Sequence, residues 1–387
     1  MAYVDELVLR DFRAIAASRV PFVHPVAAET ARLGLANLNL VVGTNGSGKS
    51  SLLKAVAAAL AAARGTRLPE SATGWPRIGG VGDALVQLRL STPTEVPEFG
   101  HQVSLRIPRE GSSPEVLVAG RGTESGDLGF FAAYGSFRGP GDLSDVGGLD
   151  QVGARPHLLF SDTGLLPLEN WMYATRRRDE VTMLLNALLP DDVRCLGDPD
   201  RQGRLFAQRD IALPVSALSD GIQSFLAWMG DLLSQLDAIA DGAMVDVAGV
   251  VLVDEIDQRM HPRWQQSILT RLGSTFSALQ FICTTHSPLL PSGLQRENLL
   301  LVEPDPDFAA EGATRILRLQ TEDVYGRTAD QVLESSYFGL ASTRSEPFWQ
   351  ELREIAARAQ SRDGGRESAL EFMRRLADPD LRRQDRR

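Results

Sequence analysis

The stretch LNLVVGTNGSGKSSLLKAV, residues 38–56, decides the fold. An apolar run of strand length ends at Gly43, and an alanine- and leucine-rich pattern of helical character begins just after Gly48. Between them GTNGSGKS, residues 43–50, matches G-x-x-x-x-G-K-[ST] at every position. Such a loop wraps backbone N–H groups around phosphate, and the helix N-terminus behind it favours negative charge. Gly43, Thr44, Asn45, Gly46, Ser47, Gly48, Lys49, Ser50 and Ser51 are therefore the candidate nucleotide-binding residues, with ATP and Mg²⁺ as the expected cofactors. Lys49 would reach the β- and γ-phosphates as a compact charge, and the Ser50 hydroxyl would ligate Mg²⁺. A glycine-rich turn of chance spacing is the alternative, and the strand–loop–helix setting argues against it.

Composition narrows the class. The chain has 387 residues, 43% of them hydrophobic, enough for a large core and one to three domains. No apolar run is long enough for a membrane span, and MAYVDELVLRDF does not read as a signal peptide, so a cytoplasmic protein is expected. Two cysteines, Cys195 and Cys283, make no disulfide framework, and Cys283 reads as an inert core thiol. The net charge of −10 confines any nucleic-acid contact to a local basic patch. Of 40 basic residues only Lys49 and Lys54 are lysine, which marks Lys49 as a place where arginine does not serve.

The rest of the chain reads as an α/β protein. YVDELVLRDF and ASRVPFV precede the loop as short strands, and VQLRLS, HQVSLRI and EVLVA alternate like antiparallel strands after it. FFAAYGSF, residues 130–137, is a further strand candidate, residues 138–156 a Gly/Asp-rich loop, and residues 164–190 helical. LLLVEPDPDF and ATRILRLQ read as a hairpin, and residues 327–376 as mostly helical with a frayed tail. The expected divisions are 1–137 (first lobe, with phosphate loop and antiparallel insertion), 138–215 (loop and helical subdomain), 216–325 (second lobe) and 326–387 (C-terminal helical extension with basic tail).

Two more apolar runs end in chemistry. GVVLVDEID, residues 249–257, reads as a buried strand ending in carboxylates. Asp254 would hold the Mg²⁺ shell, and Glu255 would act on the attacking water as general base. FICTTHSP, residues 281–288, is a third such strand, with His286 at its carboxyl end as a candidate for bonding the γ-phosphate. Open α/β sheets bind ligands at the carboxyl ends of their strands, which would gather all three motifs along one edge.

LSDGIQSFLAW, residues 218–228, then gains a meaning beyond a helix start. Ser219 reads as an N-cap, with Ile222, Phe225, Leu226 and Met229 at helical spacing behind it. The order of phosphate loop, antiparallel insertion, helical segment, LSDGIQ, DE-strand and TH-strand resembles the ATP-binding-cassette (ABC) ATPases. The resemblance covers roughly residues 3–300 and implies a P-loop NTPase fold of the ABC head type, with an antiparallel β lobe and a helical insertion. It also implies that Ser219, Asp220 and Gly221 complete the site of a second subunit, so that a homodimer sandwiches ATP.

DEIDQRMHPRWQ (254–265), THSPLL and LRDFRAI (9–15) resemble the soluble RecF/SMC/OLD-like branch. The nearest group is the compact ATPases of prokaryotic antiphage defence, OLD-like and Septu-type. Arg13 is then a candidate for reaching the nucleotide, and His261 for lining the dimer interface. The resemblance implies an ATPase that drives or gates a separate effector, a nuclease in antiphage defence. The alternatives are a RecF-like ATPase acting on DNA ends, a transporter subunit, against which the segment after Glu255 argues, and a non-hydrolysing scaffold, against which the intact Lys49, Asp254, Glu255 and His286 argue.

Several features depart from the family pattern. AYGSFRGP (133–140) stands where a glutamine-bearing loop is usual, and Gln151 is the only glutamine nearby. About 80 residues between Phe137 and Leu218 leave no room for a long coiled coil, and about 100 follow His286, with no evident nuclease domain. Glu303, Asp305 and Asp307 read as a hairpin turn rather than a metal cluster, and Arg176–Arg178 as a solvated helix face rather than a DNA contact.

Overall fold

A computed structural model describes residues 2–26, 34–66, 68–91, 101–110, 113–119, 129–136, 138, 165, 168–200, 203–359, 370 and 373. Most of the Gly/Asp-rich segment expected at 138–156, Gln151 and the basic tail lie outside the described residues. The strands are β1 (Tyr3–Phe12), β2 (Ile15–Pro21), β3 (Leu38–Gly43), β4 (Ala84–Ser91), β5 (His101–Ile107), β6 (Glu115–Ala119), β7 (Phe130–Tyr134), β8 (Val193–Cys195), β9 (Phe206–Gln208), β10 (Ile211–Leu213), β11 (Gly249–Val253), β12 (Leu279–Thr284), β13 (Leu299–Pro304) and β14 (Thr314–Leu317). The helices are α1 (Lys49–Ala63), α2 (Leu168–Ala174), α3 (Arg178–Leu188), α4 (Asp220–Ile239), α5 (Pro262–Thr275), α6 (Ala329–Leu333) and α7 (Glu346–Ala359).

An eleven-stranded sheet runs in the order β6-β5-β4-β1-β2-β14-β13-β3-β12-β11-β7. Its two halves follow from their sequences. Every residue of β3, β7, β11 and β12 is buried, as expected of strands covered on both faces, and these strands pair in parallel with one another in sheet order. β4 and β5 alternate buried and more exposed positions, and pair antiparallel as a sheet covered on one face. The halves meet where β14 touches β2 in parallel through Thr314 and Ile15. β13 and β14 form the expected hairpin.

The sheet carries a core on each side. α1 lies on one, where Ala55, Ala57, Ala58 and Ala59 are fully buried and their small side chains let the helix approach the strands closely. α2 to α5 cover the other, around Phe225, Trp228 and Trp264. Buried amides knit distant segments together. Gln280 of β12 accepts from the Val4 N–H and donates to the Val4 carbonyl, both at 2.8 Å. Asn37 donates to the carbonyls of Gly273, Phe276 and Leu279 at 3.0–3.1 Å.

Three details differ from the sequence expectation. The helical segment at 164–190 is broken between α2 and α3, where the Thr175 hydroxyl donates to Asp237 at 2.8 Å and accepts the Arg177 N–H at 3.1 Å. A small sheet, β8–β9–β10, follows α3, built from strands too short to show a period. Residues 327–376 are less helical than expected among the described residues. α6 is capped by Thr328 and ends at Leu333, and Gly339 turns left-handed (φ 66°) before α7 begins. No helix among the described residues is long and apolar enough to cross a membrane.

Candidate nucleotide-binding site

The phosphate loop joins β3 to α1. Gly43, Gly46 and Gly48 hold φ values of 148°, 75° and 111°, which a side-chain-bearing residue rarely adopts. A Cβ on Gly43 would also lie 2.4 Å from the Val302 carbonyl oxygen of neighbouring β13. Gly48 precedes α1 with no side-chain cap, which leaves the amides of the first turn to the loop. Thr44, Asn45 and Gly46 are exposed at its tip, while Ser47 and Lys49 are buried. Lys49 Nζ donates to the carbonyls of Gly43 and Thr44 at 2.8 and 2.9 Å. Burial lowers the Lys49 pKa, and Asp254, Glu255 and Asp257 push it back up. The Ser47 hydroxyl is buried without a partner among the described residues. Arg13, at φ 54°, donates from Nε to the Ser51 hydroxyl at 3.1 Å, so it sits against the first turn of α1.

Asp254 and Glu255 follow β11, two strands away from the loop, with β12 between. Thr284, the last residue of β12, organises both. Its Oγ1 donates to Asp254 Oδ1 at 2.6 Å and accepts the Glu255 N–H at 2.8 Å. Its carbonyl accepts the Ile256 N–H at 3.0 Å. Glu255 is thereby held at φ 49°, in the left-handed region. His286 is exposed just beyond β12, so the loop, the carboxylates and this imidazole share one edge of three adjacent strands.

The LSDGIQ stretch lies elsewhere. Ser219 occupies the N-cap position of α4 with extended backbone (φ −63°, ψ 151°), yet its hydroxyl makes no capping bond. Ser219 and Asp220 are exposed and Gly221 is buried. A Cβ on Gly221 would meet the Arg259 carbonyl oxygen at 2.1 Å, so the stretch is pressed against the loop after the DE-strand. Ser219, Gly221, Arg259, His261 and Arg263 line part of one cavity of about 780 Å³, to which no residue of 43–51 contributes. His261 caps α5, its Nδ1 accepting the Arg263 N–H at 3.3 Å.

Parts of the chain are similar to known proteins. Residues 138–292 match the family model described as "AAA domain, putative AbiEii toxin, Type IV TA system". That span takes in the LSDGIQ stretch, the DE-strand and the TH-strand, and begins after the phosphate loop. The chain is 36% identical to "Retron Ec83 probable ATPase" of Escherichia coli over 110 residues, 28% of this chain and 20% of that protein. It is 26% identical to "Septu protein PtuA" of Bacillus mycoides over 350 residues, 88% of this chain and 45% of that protein. The chain thus matches less than half the length of either relative. Among solved structures, an Smc head bound to the C-terminal winged-helix domain of ScpA overlays with a TM-score of 0.49 at 16% identity, covering 83% of this chain and 98% of that one.

Two residues at the candidate site, Thr284 and Arg138, are not among the candidates legible in the sequence. Thr284 carried a weak signal, being the first polar residue at the end of an apolar strand beside the DE-strand. Arg138 lies in AYGSFRGP (133–140), which holds no glutamine. It is buried, and donates to the Gly135 carbonyl at 2.8 Å and to the Glu255 carbonyl at 2.9 Å. An arginine four residues beyond β7 was the available signal.

The donor set suits Mg-ATP. The left-handed glycines, the Ser47 hydroxyl and Lys49 present donors to phosphate. Ser50 and Asp254 would share Mg²⁺ with phosphate oxygens, and no group of three or more His, Cys, Asp or Glu suited to a metal occurs among the described residues. One or two protein oxygens plus phosphates is the usual manner of binding Mg²⁺, which neutralises charge on the transferred group.

Four of the remaining sequence candidates have partners in the structure. Glu303 accepts from Arg315 at 2.6 Å, and Asp305 accepts the Asp307 N–H at 3.1 Å. Arg177 donates to the Ala240 carbonyl at 2.8 Å, and Arg178 to Asp198 at 2.9 Å.

Proposed function

We propose that the chain hydrolyses Mg-ATP between two copies of itself, the phosphate loop of each facing Ser219–Gly221 of the other. The observation that supports this most is the position of Ser219. Its hydroxyl is left unused by its own helix, and it opens on a cavity that excludes its own phosphate loop. In this reading Lys49 holds the terminal phosphates, Asp254 and Ser50 the metal shell, and Glu255 takes the proton of the attacking water. His286 stands beside the γ-phosphate. Opening and closing of the dimer gates a separate effector, which the resemblance of the chain's motifs to antiphage-defence ATPases suggests is a nuclease.

Mixing two inactive variants tests the sandwich. Ser219→Arg should leave ATP binding to the monomer intact and abolish hydrolysis, because the bulky cation would occupy the partner's γ-phosphate position. Lys49→Ala should lose ATP binding. An excess of Lys49→Ala mixed with Ser219→Arg gives heterodimers with one doubly defective site and one intact site, and activity should return. Loss of monomer ATP binding in Ser219→Arg would place the stretch within its own site and overturn the reading.

A further inference from the structure

We infer that Arg138 is a positioning residue for hydrolysis, clamping the Glu255 turn from the side opposite Thr284 and tying it to α4, the helix that begins in the LSDGIQ stretch. The inference rests on Glu255 being the general base, as proposed above.

A glutamate at φ 49° is strained and persists only where its surroundings fix it. The sheet supplies the fixing from both flanks. β11, which Glu255 follows by two residues, lies between β12 and β7. From the β12 side, Thr284 takes the Glu255 N–H. From the β7 side, Arg138 Nη2 donates to the Glu255 carbonyl at 2.9 Å, while its Nε donates to the Gly135 carbonyl at 2.8 Å. One planar guanidinium therefore bridges the backbone after β7 to the backbone after β11. The same Glu255 carbonyl accepts the Gln258 N–H at 3.0 Å, which closes the turn.

The cation is held for more than packing. Burial pulls the Arg138 pKa down to about 10, with Asp254, Glu255 and Asp257 opposing, so it stays charged at neutral pH. A buried cation beside these carboxylates offsets their mutual repulsion before any metal arrives. The guanidinium carbon also sits 5.9 Å from the Trp228 ring centroid. Trp228 belongs to α4, packs on Tyr134 at the end of β7 (5.6 Å) and on Phe225 (5.4 Å), and shares its helix with the Ser219 N-cap. A shift of α4 against a partner's nucleotide therefore presses on the group that holds the base of its own site.

The test compares Arg138→Met, Arg138→Lys and Glu255→Gln in the full-length chain, with steady-state and single-turnover ATPase assays and equilibrium ATP binding. Arg138→Met should lower kcat about 100-fold, the scale of a small misplacement of a reacting group, with ATP affinity within about twofold of wild type. Arg138→Lys should recover only part of that loss, since an ammonium lacks the planar fork that bridges the two carbonyls. In a Glu255→Gln background Arg138→Met should bring no further loss, because both act through the same carboxylate. A full additional loss in that background, or reduced ATP affinity at unchanged kcat, would overturn the inference. If Arg138→Met does not fold, the Arg138→Lys comparison in both backgrounds decides by the same criteria. Wild-type hydrolysis by Glu255→Gln would instead sink the general-base assignment on which the inference stands.

Discussion

Thr284 donates its hydroxyl proton to the Asp254 carboxylate across 2.6 Å, linking the ends of two neighbouring strands. The same oxygen accepts the Glu255 N–H, so one side chain orients both acidic residues. Thr284→Val keeps the shape and removes both bonds. Each buried group left unpaired costs about 1–3 kcal/mol. A lower thermal midpoint and a kcat loss of at least tenfold are expected, with Thr284→Ser close to wild type in both. Equal activity of Val and Ser variants would show that the hydroxyl has no part in placing the carboxylates.

Gly221→Ala tests the contact between the LSDGIQ stretch and the loop after the DE-strand. The new Cβ would meet backbone, the Arg259 oxygen at 2.1 Å, which no side-chain rotation relieves. Overpacking of this kind costs about 1–3 kcal/mol. Urea denaturation should show that loss, with hydrolysis falling in parallel. Gly242→Ala is the control, since a Cβ there meets nothing within 4 Å.

Cys283 lies inside β12, and burial pushes its thiol up to about 12 from 9.0. A folded-state pKa above the unfolded one stabilises the protein fully below pH 9 and loses that effect as pH rises toward 12. Stability should therefore decline across that window, and less steeply in Cys283→Ala. Burial also raises the Cys195 pKa. At pH 8, maleimide should label neither thiol in the native chain and both after unfolding, as read by mass. Native labelling of Cys283 at the rate of a free thiol would contradict its burial.

Purified chain should cleave no DNA with Mg²⁺ or Mn²⁺. The most acidic stretch after His286 is spent on structure, Glu303 pairing with Arg315 and Asp305 capping a turn. Cleavage that is lost in a Glu303→Gln, Asp305→Asn double variant would reverse this.

Much of the fold is legible because apolar continuity is local. The runs at β3, β11 and β12 are buried on both faces, so each shows as an unbroken apolar stretch. The alternation in β4 and β5 likewise shows directly. What escaped was set by distant partners. β8 to β10 have three residues each, too few for a period. Thr284 and Arg138 gain meaning only once β7, β11 and β12 lie side by side, which no spacing along the chain announces. Ser219 was legible as a cap position, yet its hydroxyl does no capping.

The seam between β2 and β14 fixes the order in which the molecule can be made. A ribosome delivers β1 and β2 first, and β4 to β6 soon after, so the antiparallel half can pair while synthesis continues. β3 emerges among them, but its neighbours in the sheet are β12 and β13. The Val4–Gln280 bond likewise spans 276 positions. Until those late strands arrive, six residues destined for complete burial wait without a mate. Such an interval exposes a sticky strand to other nascent chains, so yield in the cell should depend on translation speed and chaperone supply more than on the stability of the finished protein.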